Sequence, residues 1–434
     1  MIVLLLACSE PPAPTGAPPV TTPMGPPPGG VPNGPPLPGG PGLPPPPGGS
    51  GAMMQDPTGY PGFHNTPPPA GAAPAADPKM PAAVVVADAP LGGFRPQVDV
   101  GPDGTIHVVY YDHRDSGDIL WYRTSPDGQV WSTPEQVSPS DGRNWGPDIV
   151  VRDDGRVFVT WDRAGSDFRS RGWLRERGKD GWNEAVPLTA DGDQEIGSGH
   201  IAVVGDDVAY VYIGKQLGMQ YRFRAYWRWR HDGVWSEPVA WSDGTSDAWH
   251  TNIQARPDGS VLAGYDLGTG GGETTTYVVN GRNGTFDAPE NISATSHPGE
   301  RVHFGFGAED WLGWFHKVGG SPLHVYVRSG RPGAWGASTD LATGYGGYHY
   351  DPFLAVSQQG LPAVVWGWDG GAQAELLYSV FRAGRWSTPL QAAAVKDGKP
   401  ELPSMDVDAS GRFHVVWANG DRGRTRIWYT TIVP

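Results

Sequence analysis

The chain has 434 residues and a formal net charge of -14, and its 46 prolines are unevenly shared, 25 of them lying before residue 81. Residues 81–434 hold 31 basic and 43 acidic side chains, a net of -12, which excludes the basic footprint a nucleic-acid binder needs. A single cysteine excludes an internal disulfide and a thiolate metal cluster, no apolar run approaches the roughly 20 residues of a membrane span, and 64 glycines with 47 aromatics predict short strands joined by turns.

Residues 1–8 read MIVLLLAC, six apolar residues from Ile2 to Ala7 and then the only cysteine. Leu5, Leu6, Ala7 and Cys8 match position by position the end of a bacterial lipoprotein signal, which this segment resembles in truncated form, without a basic start. The resemblance implies lipidation of Cys8, and Ser9 beside it resembles the residues that permit sorting to the outer membrane. The expected location is therefore the bacterial cell envelope. Residues 9–80 run through PPPGG, PNGPPLPGG and GLPPPPGG with only Glu10, Asp56, Asp77 and Lys79 charged. Such a stretch buries too little to offset the entropy of ordering it, so it is expected to be a disordered, extended tether.

From residue 81 to 434 the sequence is periodic. A turn followed by Trp or Phe recurs at Trp131, Trp182, Trp235, Phe286, Trp335 and Trp386, with spacings of 51, 53, 51, 49 and 51. A second element, a D-G type turn leading into an alternating β-branched and aromatic run, appears seven times, from Asp103-Gly104 before IHVVYY to Gly411 before FHVVW. Each unit reads as four strands. The seventh ends after three, and Pro81–Ala87 offers the missing one. Seven four-stranded units, closed by the first strand of the domain, predict an all-β seven-bladed β-propeller. A ring also removes the edges that would otherwise pair between molecules. Tyr110, Trp161, Tyr265, Phe315, Trp366 and Trp417 are then expected to fill the wedges between blades.

The segment Ser125-Pro-Asp127-Gly128-Gln-Val-Trp131 keeps the serine, aspartate, glycine and tryptophan of an Asp-box, one residue short, and Asp232–Trp235 and Ala383–Trp386 are more worn copies. On these repeats residues 81–434 resemble the sialidase-like, BNR-repeat propellers. In enzymes of that family three arginines clamp a substrate carboxylate, the first after a motif like F-R-I-P, beside a Tyr-Glu pair. Phe94-Arg95-Pro96 is similar to that opening, and Arg301, Tyr350 and Glu401 stand at comparable places. The family enzymes have six blades, however, and an Asp-box is a folding device that binding proteins share.

In a propeller the ligand face is built from the loops leading into each first strand and those joining second strand to third, all at one mouth of the channel. By register these place Phe94, Arg95, Trp145, Asp148, His200, Trp249, His250, Asn252, Arg301, His303, His349, Tyr350, Asp351 and Glu401 at the mouth. Asp112, His113, Arg114, Asp162, Asp266, His316, Asp369 and Asn419 join them from the second-to-third loops. Rings beside carboxylates, imidazoles and guanidinium groups suit sugars, whose faces stack while their hydroxyls need donors and acceptors. The expected function is binding of a glycan or an envelope protein, with no nucleic acid and no cofactor. The alternatives are a polysaccharide lyase or sialidase-like hydrolase at the same face and an envelope scaffold. If the protein is an enzyme, His200, His250, His303 and Tyr350 are the catalytic candidates, and the neutral imidazoles suit a divalent metal. Tyr221–Arg230 alternates arginine with aromatic residues; pairing of Arg222, Arg224, Arg228 and Arg230 with a neighbouring blade is expected before binding of an anionic polymer.

Overall fold

The structure, a computed structural model, describes residues 73–77, 81–88, 93–114, 117–164, 170–189, 193–216, 222–270, 273–293, 299–318, 321–394, 398–419 and 425–434. Residues 1–72 lie outside them, and with them the expected signal, most of the tether and the lipidation at Cys8.

Seven antiparallel sheets make a seven-bladed β-propeller, with no helix among the described residues. The first strands of the blades are Gly93–Val100, Arg143–Val151, Asp193–Val204, Ala248–Ala255, Glu300–Phe306, Tyr348–Val356 and Pro400–Val407. Each packs against the first strands of both neighbours, and the last meets the first, so the ring is closed. The closure is the expected one: Val84–Asp88 supplies the fourth strand of blade seven, antiparallel to Arg426–Ile432 with Val84 opposite Tyr429. Residues 73–77, in the stretch expected as tether, extend this strap to the neighbouring blade. Ala75–Ala76 pairs in parallel with Leu390 and Gln391 at the outer edge of blade six, and Tyr378 donates its hydroxyl to Asp77 at 2.6 Å.

The aromatic residues expected between blades, one in the second strand of every blade but the third, are buried there. Trp161, Trp366 and Trp417 are essentially inaccessible, and Tyr110, Tyr265 and Phe315 nearly so. Trp161 packs with Val109 and Leu120 of blade one, and Tyr110 with Val416 and Ile427 of blade seven, so the core is divided among the seams. Fully burying one such side chain contributes about 2–3 kcal/mol.

Arginine reinforces four of these seams. Arg123, Arg175, Arg228 and Arg328 share one place in the third strand, seven or eight residues before the repeat tryptophan. Each donates to a carbonyl of its own outer hairpin and to one on the preceding blade, at Val86, Val137, Leu188 and Ile292 respectively. Burial lowers the pKa of Arg175 and Arg328. Within the Tyr221–Arg230 stretch, Arg228 is one of these staples, Arg224 donates to the Ser242 carbonyl, and Arg230 pairs with Glu176 of blade two at 2.5 Å.

The Asp-box-like segment is a rigid hairpin. Ser125 Oγ accepts from the Gly128 amide at 2.8 Å, and Asp127 Oδ1 from Gln129 and Val130. Gly128, at φ +75°, lies against the Tyr429 ring, where a Cβ would collide, and Trp131 meets the same ring edge-on at 5.4 Å. The hairpin thereby docks blade one on blade seven.

Candidate functional site

Every first strand carries a β-bulge near the mouth. The register gains one residue between Phe94 and Gln97, Trp145 and Asp148, Ala248 and Thr251, Glu300 and His303, Tyr350 and Phe353, and Glu401 and Ser404, and twice in blade three, before and after Gly197. A bulge bends its strand and re-aims the side chains on either side of it. Arg95, Ser198, Arg301, Asp351 and Leu402 sit in these bulges at φ between +47° and +56°, and Gly146 at +59°. For residues other than glycine that backbone costs about 1–2 kcal/mol each. Carboxylates of the preceding blade hold two of them: Asp266 Oδ2 accepts the Arg301 amide at 2.7 Å and Asp351 Oδ2 the Leu402 amide at 3.2 Å.

The bulges surround a cavity of about 80 Å³ to which all seven blades contribute. Its polar lining is Arg95, Gln97, Ser198, His200, His250, Thr251, Asn252, Arg301, His303 and Asp351, and its apolar lining includes Phe353, Leu402 and Pro403. Arg301 is paired with Asp351 at 2.8 Å. Arg95 makes no hydrogen bond or ion pair with a described residue, although Asp162 and Tyr111 feel its charge.

The imidazoles are individually fixed. His250 donates Nδ1–H to the fully buried Asp266 at 3.1 Å, and His200 Nδ1 lies 3.3 Å from Asp148. Asn252 donates to His303 Nδ1 at 3.0 Å, which leaves the proton of neutral His303 on Nε2, and the His303 ring lies 4.3 Å from that of Phe353. Burial, then the charges of His200, Arg301 and His250, push the pKa of His303 down to about 3. Beside the cavity, burial pushes Asp162 up to about 8, against the pull of Arg95 and the Ser198 and Gly199 amides. Among the described residues no three His, Cys, Asp or Glu side chains gather as a metal-ligand set.

Of the fourteen residues expected from the entries to the first strands, Arg95, His200, His250, Asn252, Arg301, His303 and Asp351 line this cavity and seven do not. Nor do Asp112, Asp162, Asp266, His316, Asp369 and Asn419 from the second-to-third loops, where the side chains of His113 and Arg114 lie outside those described. Asp148 lies behind the cavity, accepting the Ile201 amide at 3.0 Å. Phe94 and Trp145 directly precede their bulges and Trp249 lies within one; all three are half-buried, Phe94 against Tyr111 at 5.6 Å. His349 is buried and accepts from Trp366 Nε1 at 3.0 Å, and burial pushes its pKa down to about 3. Tyr350 is packed over Gly367 in the wall, with its pKa raised well above the ordinary value by burial and then by the Glu401 charge. These two alternate into the blade because the bulge that turns Asp351 inward comes after them.

Sequence reasoning missed Gln97, Ser198 and Phe353. A signal for two of these existed in the period: Gln97, Asp148, His200, Asn252, His303, Phe353 and Ser404 hold one register position and recur every 50–52 residues.

No protein-family model and no curated protein matches this chain. Solved structures do. A protein of unknown function from Dyadobacter fermentans superposes with a TM-score of 0.52 at 15% identity, covering 81% of this chain and 98% of its own. An alpha-L-arabinanase from Penicillium chrysogenum, solved with arabinobiose, gives 0.51 at 12% identity, covering 82% and 98%. Trypanosoma rangeli sialidase gives 0.46 at 11% identity, covering 69% and 56%. At these identities what the first two share with this chain is the propeller fold.

Proposed function

We propose that this protein is a lipid-anchored propeller of the bacterial envelope that binds the end of a glycan at the channel mouth. One observation carries the reading: the bulges of all seven blades frame one cavity, five of them turn polar side chains onto it, and Arg95 there has no described partner. About 80 Å³ holds a few waters or one polar substituent, well short of the roughly 300 Å³ or more that engulfs a whole small ligand. The remainder of the glycan then rests on the rim near Phe94, Trp145 and Trp249. An acidic substituent suits Arg95, whereas a hydroxyl suits Asn252 and the imidazoles. Lipidation at Cys8 and a proline-rich tether would carry the ring away from the membrane.

The His250–Asp266 hydrogen bond favours a second reading, a carbohydrate-active enzyme. A carboxylate that fixes the tautomer of an imidazole is the usual setting of a general base. Calorimetry of the full chain against neutral and acidic oligosaccharides separates the two. Saturable binding without new reducing ends or unsaturated products supports the binder, and turnover the enzyme. Arg95→Ala is expected to weaken an acidic ligand by about tenfold or more, the worth of one charge-assisted contact; unchanged affinity removes Arg95 from the site. Cys8→Ser is expected to abolish fatty-acid labelling and membrane retention.

A further inference from the structure

Below the cavity, two acidic residues meet at the seam where the ring closes. Asp99, of Gly93–Val100, and Asp406, of Pro400–Val407, lie two residues past Gln97 and Ser404 in the same register. Val, Ala, Gln, Gly and Ala stand at the matching places of the other blades: Val150, Ala202, Gln254, Gly305 and Ala355. The two carboxylates converge on a single proton donor. The Val100 amide lies 2.9 Å from Asp99 Oδ1 and 2.7 Å from Asp406 Oδ2, so oxygens from two acids share one N–H. Their other bonds cross blade boundaries. Asp99 Oδ2 accepts the Val151 amide of blade two at 2.6 Å, and Ser404 Oγ of blade seven accepts the Val98 amide at 3.1 Å.

We infer that the Asp99–Asp406 pair is a proton-dependent clasp on the seam between the first and last blades. Two carboxylates this close are compatible when one keeps its proton and repel when both are ionised. Burial, then the Asp406 charge and the hydrogen bond between the acids, raise the pKa of Asp99 well above the ordinary carboxylate range. A value raised in the folded state means that the stabilisation present at low pH is lost as pH climbs through it.

The other titratable groups on the packed strands respond elsewhere. His107, the cross-strand partner of Asp99, is bonded to Tyr122, and burial pushes it down to about 4. His414, the partner of Asp406, is bonded to Tyr429 and Asp408 and is also lowered, chiefly by burial. Arg412 stands on the hairpin below His414. On blade two, Asp148 is held by Ile201, and Arg152 pairs with Asp154 and Asp206. Glu401 and Arg426 lie at the mouth ends of the first and third strands of blade seven. Because Arg95 and Leu402 ride on these same two strands, loosening the seam displaces one wall of the cavity.

The test is amide hydrogen exchange on the full chain, read as protection factors. For the wild type, protection of Val98 and Val100 is expected to fall about tenfold as pH climbs above the ordinary carboxylate range, from about pH 5 upward, while that of Ile201 holds. Asp406→Asn keeps the acceptor for Val100 and offers Asp99 a neutral donor, so its protection is expected to stay flat. Asp99→Asn, which makes the other acid neutral, is expected to do the same should the first variant fold poorly. Of the carboxyl infrared absorbance lost over the same range in the wild type, the share of this pair is expected to be missing from both variants while that of Asp162 remains, which identifies the proton. Flat protection in the wild type, or an equal fall in the variants, overturns the proposal. So does millimolar calcium restoring wild-type protection at high pH, which would make the pair a cation site.

Discussion

Asp162 and Asp266 occupy the same place in the repeat, six residues into second strands that begin at Val157 and Val261, and both are wholly inaccessible. Their surroundings differ. Asp266 takes the Thr276 hydroxyl at 2.9 Å, the Arg301 amide at 2.7 Å and His250 Nδ1–H at 3.1 Å, tying blade four to the strained bulge of blade five. Asp162 lies near the corresponding bulge at Ser198 but has no hydrogen bond of good geometry, and burial pushes its pKa up to about 8. A repeat position thus sets where an acid stands, and the neighbouring blade sets whether it meets hydrogen-bond donors or is buried without them. Burying a charge is tolerable only where donors replace the lost water.

Three substitutions break or sharpen that contrast. The largest effect is expected for Asp266→Ala, which strands the Arg301 amide and frees His250; a loss of about 3–5 kcal/mol should appear as an earlier urea midpoint. A loss under about 1 kcal/mol would mean that the bulge does not depend on this acid. Asp162→Asn is expected to act in the opposite direction. A carboxyl whose folded value is raised to about 8 loses its stabilising advantage as pH climbs from about 4 to that value, so the amide should gain stability progressively over that range and nothing near pH 4. His303 and His349, held near 3 by burial, give the wild type the reverse slope at lower pH: stability is lost as pH falls from about 6.5 toward 3. Thermal melts should therefore peak near neutrality in the wild type and show a shallower alkaline decline in the variant, the remainder being that of Asp99. The smallest effect is expected for Leu402→Gly, which relieves the φ of +49° while keeping the amide that Asp351 accepts. Its net change should be within about 1 kcal/mol, with the strain relieved nearly offset by chain entropy.

The ring was legible in the chain because its signals are local and repeated. Seven turns of related type, tryptophan or phenylalanine about 51 residues apart and a spare strand at Val84 each follow from short-range sterics and burial, and the structure has all of them. The mouth was half legible. His200, His250 and His303 could be placed there by register alone, yet His349 and Tyr350, one step away in the same kind of loop, face the core. A bulge shifts the alternation by one residue, and no residue type marks where it falls; proline follows in four bulges, but serine-glycine, tryptophan-histidine and arginine-valine fill the other three.

By itself, then, the order of residues determined the number of blades, the way the ends close and the face on which polar groups collect, since each depends on neighbours within one repeat. Which acids are bonded, which arginine is without a described partner and which carboxylates meet were decided only when repeats some 50 or 300 positions apart came into contact. Electrostatic energy falls within a few ångströms, and those distances exist only in the folded ring.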